Sequence, residues 1–402
     1  MPQDRSGRYT LAYIIFGFIF SLVLIFGTGL YSIAKRVGQA PAGPSVPDFV
    51  LTASDFEPFT REVPATGAPI GEAVERGGRL DRPLRLGAPI RGSLVPAALL
   101  QAADARLGAG AVRPDGSVEF RRIDARLERY DALAKGEVDL IWDTLGSLAE
   151  ELPRLQALGL QARVVMPLGS GDPADALVMA RPAGPLPARG SFAAVESFSA
   201  AHLIALELIA NASLTAAERG ARHASLLLVG TPRDAYAKAI SEANGSAVAV
   251  GTGSALEPEG ARKSGSAPFL NVEVLVAHPR LLEEGTGSLV ALLDRWVRIR
   301  EATPALSQPL HADVARIFGI EAADVPRLGG PSGVPDAAAQ DRFFRGVGAG
   351  WTDAASEVWM KLGLLRRSSP AAQWFDGRYL PASQRAEPSQ VPGAPQSPLA
   401  GP

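Results

Sequence analysis

Between Leu84 and Leu365 the chain alternates short apolar runs with longer stretches in which apolar residues recur at helical spacing. The segment around Tyr130 to Leu145 shows the pattern best. Leu127, Tyr130, Leu133 and Ala134 fall on one face of a helix, and Gly136 supplies the permissive stop that a helix C-terminus favours. Val138-Asp-Leu-Ile-Trp142 then predicts a short strand, and Asp143-Thr-Leu-Gly-Ser147 a polar loop able to cap the next helix. In an α/β protein this succession puts the loop at the carboxyl edge of a sheet, where ligands bind, so Trp142, Asp143 and Thr144 become candidate contacts.

The same alternation extends in both directions. Leu84 to Ile90, Val118 to Ile123 and Ala162 to Leu168 read as strands, with helices over Val95 to Leu107 and Leu148 to Leu158. Asp172 to Arg181 is expected to cross to a second lobe, where Ser197-Phe-Ser-Ala-Ala-His202 opens an apolar helix reaching Ala212. Leu226 to Val229 and Ala247 to Val250 read as strands around a helix over Pro232 to Ala243, which has proline in its first turn. Asn271 to Ala277 is a returning strand, followed by helices over Leu289 to Glu301, Ala312 to Phe318 and Gln340 to Leu365. Such βα alternation predicts a mostly parallel sheet, here with an inserted smaller sheet and a helical return, which together describe a two-lobed α/β clamp.

The flanks follow other patterns. Leu11 to Ala34 carries no charge and is long enough to cross a bilayer as a helix of roughly 20 residues. It exceeds a signal-peptide core of about 7–15 residues, so the expectation is an uncleaved single-pass anchor. Arg5 and Arg8 before it are balanced by Lys35 and Arg36 after it, which leaves the orientation open on charge alone. The expected organisation is a leader and anchor over 1–36, a Pro/Gly/Ala-rich linker over 37–82 and the first part of lobe 1 over 83–175. Lobe 2 follows over 176–268, the lobe 1 return and C-terminal helices over 269–380, and a disordered Pro-rich tail over 381–402.

Composition narrows the chemistry. The net charge of −2 and the lack of a long basic block disfavour nucleic-acid binding. With no cysteine among 402 residues, disulfides, thiolate nucleophiles, Cys-ligated zinc and a lipidated N-terminal cysteine are all excluded. The four histidines have no metal-ligand spacing, and no nucleophile elbow, phosphate loop or complete dinucleotide fingerprint occurs. The pairs Glu150–Glu151 and Glu283–Glu284 read as solvated helix faces. An enzyme is not expected, and no cofactor or metal site is expected either.

Four places carry a resemblance. Leu133-Ala-Lys-Gly-Glu-Val-Asp139 is similar to the "alanine-leucine, spacer, glycine-x-x-aspartate" segment of the nitrate/sulfonate/taurine and thiamine-precursor-like branch of type II periplasmic solute-binding proteins. Ser197-Phe-Ser-Ala-Ala-His-Leu203 resembles its small-residue helix start, and Ala255-Leu-Glu-Pro258 stands where its Trp-Glu-Pro element occurs, with Leu256 in place of tryptophan. Leu292-Leu-Asp-Arg-Trp296 and Ala355 to Leu364 are similar to its C-terminal helices. The resemblance covers roughly Leu84 to Leu380. It implies a type II clamp that binds a small anionic or zwitterionic ligand for an ABC-type uptake system or for sensing, in a membrane-anchored variant. The implied location is a bacterial inner membrane, with the folded domain in the periplasm or outside the cell, and the implied partners are an ABC permease or envelope proteins. The alternative is a scaffold of the same fold that binds no ligand and holds an envelope assembly together.

A clamp predicts four loops meeting in a cleft: Arg91, Gly92 and Ser93 with Trp142, Asp143 and Thr144 from the first lobe, and Ser197, Ser199, Ala200 and His202 with Gly251 and Thr252 from the second. Ser199 and Ala200 would offer a helix N-terminus to an anion, and Arg91 a charge. Each has a plainer reading. Ser197 and Ser199 would simply cap a helix, Trp142 would be a core aromatic, Arg91 a surface cation and His202 a structural histidine.

Overall fold

The computed structural model describes residues 49–60, 77–108, 111–170, 178–179, 192–224, 226–229, 247–249, 262–263, 269–302, 307–328 and 336–381, with Ala65, Ile70, Glu72, Val74 and Gln384 as isolated positions. The expected anchor over Leu11 to Ala34, the helix over Pro232 to Ala243, the Ala255-Leu-Glu-Pro258 element and nearly all of the expected tail lie outside these residues. Among the described residues, no helix is long and apolar enough to cross a membrane.

The first sheet is built from β1 (Leu84–Ala88), β2 (Val118–Arg122), β3 (Leu140–Thr144), β4 (Arg163–Ser170) and the returning β10 (Val272–Ala277), in the order β2-β1-β3-β10-β4. β1 runs parallel to β2 and β3, whereas β10 is antiparallel to both β3 and β4. Strand periodicity divides its side chains between two cores. Leu86, Leu140, Trp142 and Leu275 face one, while Ile141, Val164, Val274 and Val276 face the other. Burial on both sides explains why Leu140 to Trp142 of β3, and β10 apart from Glu273, are apolar rather than alternating.

The second sheet takes β5 (Val178–Met179), β6 (Phe192–Glu196), β7 (Leu226–Val229), β8 (Ala247–Ala249) and β9 (Arg262–Lys263), in the order β7-β6-β8-β5-β9. β6 is parallel to β7 and β8, and β5 is antiparallel to β8 and β9. All its strands come from the stretch inserted between β4 and β10 of the first sheet.

The connecting helices are α1 (Val95–Arg106), α2 (Arg126–Ala134), α3 (Leu145–Ala157), α4 (Ala200–Asn211), α5 (Ala216–Ala224), α6 (Pro279–Glu284), α7 (Thr286–Ala302), α8 (Gln308–Phe318), α9 (Ala337–Arg342) and α10 (Gly348–Lys361). Gly136 ends the turn after α2 in the left-handed region at φ 67°, as its position predicts. The expected single helix from Gln340 to Leu365 is interrupted. Phe343–Val347 forms a wider turn in which Gly346 takes φ 113°, a value that suits glycine and breaks the run between α9 and α10.

Two further expectations change. β3 extends through Asp143 and Thr144, so these residues end a strand rather than form a loop, and α3 begins at once with Leu145. Leu127 is exposed, because the buried stripe of α2 runs through Arg126, Arg129, Tyr130 and Leu133. In addition, part of the stretch expected as a linker is built into the core. Phe49, Leu51, Phe56 and Phe59 are buried, the carbonyl of Pro58 accepts from Trp351 Nε1 at 3.0 Å, and Lys361 pairs with Asp55. Each such side chain contributes about 1.5–3 kcal/mol by leaving water.

Candidate functional site

Arg91 follows β1 and caps a short turn over Gly92–Leu94, just before α1. Its side chain is buried at 2% exposure, and its guanidinium carbon lies 4.8 Å from the centre of the Trp142 ring. Arg129 of α2 approaches the same ring at 5.4 Å. Trp142 Nε1 donates to Glu273 Oε2 on the neighbouring β10 at 3.1 Å. Trp142 is thus a core residue in burial, and it also forms the plate on which two guanidiniums rest.

Arg129 Nη1 donates to the carbonyls of Ile123 and Asp124 at 3.2 and 2.8 Å. Its Nη2 faces Asp143 Oδ1 at 3.8 Å, beyond hydrogen-bond reach. Asp143 is fully buried and accepts a hydrogen bond from Tyr130 Oη. Burial pushes its carboxyl up, against the opposing pull of Arg129, the Tyr130 hydrogen bond and Arg126. Burial likewise raises the Tyr130 phenol, with the Asp143 charge adding to it, so Tyr130 stays a donor.

Arg126, one turn before Tyr130, is held by Glu150 and Glu151 of α3. Burial alone would lower its affinity for a proton, but the two glutamates outweigh that and raise it. Glu151 is 1% exposed and its carboxyl is pushed up to about 7, by burial first, against the pull of Arg126. The reading of Glu150 and Glu151 as a solvated pair is therefore corrected, since Glu151 is a buried partner of a buried arginine. The Arg126 guanidinium also lies 5.4 Å from the Phe198 ring.

Phe198 belongs to the turn between β6 and α4. It adopts φ 61°, where a side chain is strained by about 1–2 kcal/mol. Three contacts hold it there: the Arg126 guanidinium, an edge-to-face contact with Trp359, and donation from its own N–H to His202 Nδ1 at 3.2 Å. His202 is fully buried against Trp359, and burial lowers its pKa to about 3, with the His223 charge adding to the effect, so the ring is neutral. Accepting at Nδ1 places its proton on Nε2. Ser199 caps α4, accepting from the His202 N–H at 3.2 Å and donating to the Glu196 carbonyl at 2.7 Å. Ser197 is partly exposed in the same turn, and Ala200 is buried at the first position of α4.

Glu196, at the end of β6, is the carboxylate that the second sheet brings to this region, and it is 7% exposed. Burial pushes it up to about 7, and the charges acting to lower it are Arg129, Arg91 and Arg126 in that order. Burial lowers the affinity of Arg91 for its proton, and Glu273 and Glu196 oppose this.

Several buried polar atoms in this cluster have no hydrogen-bond partner: Arg91 Nε and Nη1, Ser93 Oγ, Arg129 Nε, Asp143 Oδ1, Glu196 Oε1 and His202 Nε2. Unmade hydrogen bonds on buried groups are costly, at about 1–3 kcal/mol each, which makes these atoms the candidates for contact with a bound group.

The structure therefore brings Arg91, Gly92, Ser93, Trp142, Asp143 and Thr144 to the carboxyl edge of the first sheet, with Ser199 and His202 joined to it through Glu196 and Phe198. Arg91 is buried, which removes the surface-cation reading. Thr144 turns to Ser147, with the two hydroxyl oxygens 3.1 Å apart. Ser199 performs the capping role. Gly251 and Thr252 lie outside the described residues. The residues that sequence reasoning missed are Arg126, Arg129, Glu196 and Glu273. The spacing 126, 129, 130, 133 was the available signal, since it sets two arginines in the stripe that faces inward. Among the described residues, no group of three His, Cys, Asp or Glu side chains gathers to hold a metal.

No family model matches the sequence, and no curated protein matches it. Solved structures do. The alkanesulfonate-binding protein SsuA from Xanthomonas axonopodis pv. citri, bound to MOPS, superposes with a TM-score of 0.55 at 16% identity, over 74% of this chain and 99% of that one. The periplasmic aliphatic sulphonate binding protein SsuA from Escherichia coli gives 0.51 at 19% identity, over 73% and 97%. A zinc-bound ligand-binding component of an ABC-type import system from Staphylococcus aureus gives 0.52 at 12% identity, over 76% and 100%. At these identities the likeness shows the fold. The chain has the type II periplasmic binding fold expected from its sequence, a mixed α/β architecture in which the strands of a second five-stranded sheet are inserted between two strands of the first.

Proposed function

We propose that this protein binds a small anionic or zwitterionic solute between its two lobes and passes it to an ABC-type importer or reports it to a partner. The carrying observation is Arg91, a buried guanidinium stacked on Trp142 whose Nε and Nη1 have no hydrogen-bond partner. These two donors diverge from one another, so each would reach a separate anionic oxygen with a charge-assisted hydrogen bond. Arg129 from α2 supplies a second guanidinium against the same ring, and Ser93 a hydroxyl. The sulfonate-binding proteins of like fold favour an anionic ligand. We assign no catalytic role to the cluster.

In the same proposal, Leu11 to Ala34 anchors the chain in a bacterial inner membrane, with the lobes in the periplasm or outside the cell. Residues 83–175 and 269–380 would make lobe 1 and residues 176–268 lobe 2, while Gln384, buried and accepting from Gln340 Nε2, joins the folded part rather than the expected free tail. The full chain in non-ionic detergent, titrated calorimetrically with nitrate, ethanesulfonate, taurine and a pyrimidine thiamine precursor, tests the reading. Heat and a thermal shift with at least one of them is the expected outcome. No heat and no shift with any of them overturns it.

One observation favours the alternative reading, a scaffold that binds no ligand. Leu203, Ile204 and Leu206 of α4 belong to the same apolar cluster as Leu145, Leu148 and Trp359, so this helix is docked on the first-lobe side by core-like packing. A Cβ at Gly146 would meet Leu203 Cδ1 at 2.8 Å, which shows how close the approach is. Such packing opposes hinge opening. Capture of envelope proteins by the full chain, together with silence in every titration, would support the scaffold. Unchanged capture after removal of residues 381–402 would then rule out the tail as the contact.

A further inference from the structure

Ahead of β1, Phe49 and Leu51 are buried on either side of Val50, which is 55% exposed, the alternation of an extended chain. Thr52 then starts a short 3₁₀ helix over Ala53–Phe59, its N–H donating to Asp55 Oδ2 at 2.7 Å. Residues three apart share one face of such a helix, so Phe56 and Phe59 both turn inward. The contacts of this segment divide between helices that belong to different sheets. On the side of the second sheet, the Phe49 ring lies 5.7 Å from the His223 ring of α5, and the 3₁₀ helix packs against α4. On the side of the first sheet it packs against α10, where the Pro58 carbonyl accepts from Trp351 Nε1 at 3.0 Å and Asp55 pairs with Lys361. Between the two, the Phe59 carbonyl accepts from the Phe269 N–H at 3.3 Å, and the Phe269 ring stacks on Trp351 with ring centres 4.3 Å apart. Phe269 stands just before β10, where the chain returns from the second sheet to the first.

We infer that residues 49–60 form a strap that keeps the helices of the second sheet closed against those of the first: the two sides part only when the strap lets go of α4 and α5 or of α10. Either release puts buried aromatic surface into water, which is why a bridging segment opposes opening. Among the described residues, the strap's hydrogen bonds and ion pair to the rest of the fold go to α10 and Phe269, while α4 and α5 offer it apolar and ring contact. The second-sheet side is therefore the one that lets go first. As a control on the solute site, the strap rests on the two-lobed reading above. A guanidinium as buried as that of Arg91 is reached by a solute only in an open state, so the strength of the strap sets how often the site is accessible.

The sequence has no cysteine, so two introduced ones take spin labels without competition. Leu158→Cys after α3 and Ala217→Cys on α5 put the labels at exposed positions, one on each side. The distance between them is measured by double electron–electron resonance on the full chain in non-ionic detergent, without ligand. One narrow distance is expected with the strap intact. Phe49→Ala removes the ring from α5 and leaves the hydrogen bonds to α10 and Phe269 in place. It is expected to add a second, longer distance and to raise the open-to-closed ratio at least about tenfold. Phe318→Leu is the control, because it disturbs a buried aromatic contact, with Phe120, in the other apolar cluster, and it should leave the distances as in wild type. Wild-type distances in Phe49→Ala, or the same longer distance in Phe318→Leu, overturns the inference. Where Phe49→Ala gives no cooperative melt, Trp351→Phe decides, since it keeps a ring on Phe269 and loses only the N–H to Pro58. A longer component in that variant supports the strap, and wild-type distances overturn it. No ligand is added, so the solute-binding reading stands or falls on its own titrations.

Discussion

β3 carries an acidic residue close to each of its ends, and the two behave in opposite ways. Just before the strand, Asp139 accepts from Arg82 Nη1 and Nη2 at 2.6 and 2.7 Å, from Arg85 Nη2 and Nε at 3.0 and 3.2 Å, and from the Arg85 N–H at 2.8 Å. Burial alone would raise its carboxyl, but these bonds hold it down at about 2. Toward the other end, Asp143 has Tyr130 as a donor and Arg129 at 3.8 Å, and its Oδ1 makes no hydrogen bond. The aspartate of the glycine-x-x-aspartate motif thus fastens β1 to β3, and the proposed ligand chemistry belongs to the opposite edge. Ionic groups whose hydrogen bonds are complete hold the fold together, while Arg91 and Asp143, buried with bonds left open, are the groups to which the proposed function assigns a ligand.

Substitution at the two edges should separate these roles most sharply. Arg91→Met is expected to weaken anion binding at least about 100-fold, because it removes a desolvated, charge-assisted pair of donors. Its melting temperature should stay the same or rise, since an incompletely paired buried charge is lost. Calorimetry and thermal unfolding on one preparation check both halves. Asp139→Asn should do the reverse, destabilising by about 2 kcal/mol in a denaturant titration while leaving the dissociation constant unchanged; the partial exposure of Arg82 reduces the effect below that of a fully buried pair. With its pKa held below the unfolded value, Asp139 stabilises the fold fully above pH 4, and that contribution disappears as pH falls through about 2. An acid titration of wild type against Asp139→Asn should therefore converge at the lowest pH.

Smaller effects test how the second sheet is joined to the cluster. Gly146→Ala pushes a methyl toward Leu203 Cδ1 and toward the Phe198 carbonyl, 3.3 Å from the new Cβ, and is expected to destabilise by about 1–2 kcal/mol. Because Phe198 sits under Arg126, ligand affinity should fall with it, by a few-fold in calorimetry. Ser199→Ala should cost about 1 kcal/mol through loss of the α4 cap, with affinity unchanged, and a large loss of affinity would instead make Ser199 a ligand contact.

Much of this architecture is legible in the residue pattern because strands buried on both faces are apolar runs and glycine marks the helix ends. β1, β2, β3 and β10 fall within one or two residues of where the apolar runs place them, and Arg91 and Trp142 do meet. The misplacements have physical causes. Asp143 and Thr144 look like a loop because they are polar, yet pairing with Glu273 and Val274 of β10 draws them into the strand. Gln340 to Leu365 keeps helical spacing through Gly346, whose positive φ only the three-dimensional packing imposes. Glu151, Arg126 and Arg129 look like solvent-facing charges, since apolar periodicity is blind to arginines that are buried together with their counter-ions. Glu196 gives no local signal, because the charged groups acting on it, from Arg91 to Asp143, lie between 53 and 105 residues before it in the chain.

The proposed ligand site is the charge cluster at the carboxyl edge of β3, whereas the cluster at its amino edge fastens the sheet. Side-by-side calorimetric titration of wild type, Arg91→Met and Asp139→Asn with ethanesulfonate at pH 6 tests it most directly. Saturable heat from wild type and Asp139→Asn, with none from Arg91→Met, is the result this account predicts. Equal binding by all three chains would contradict it.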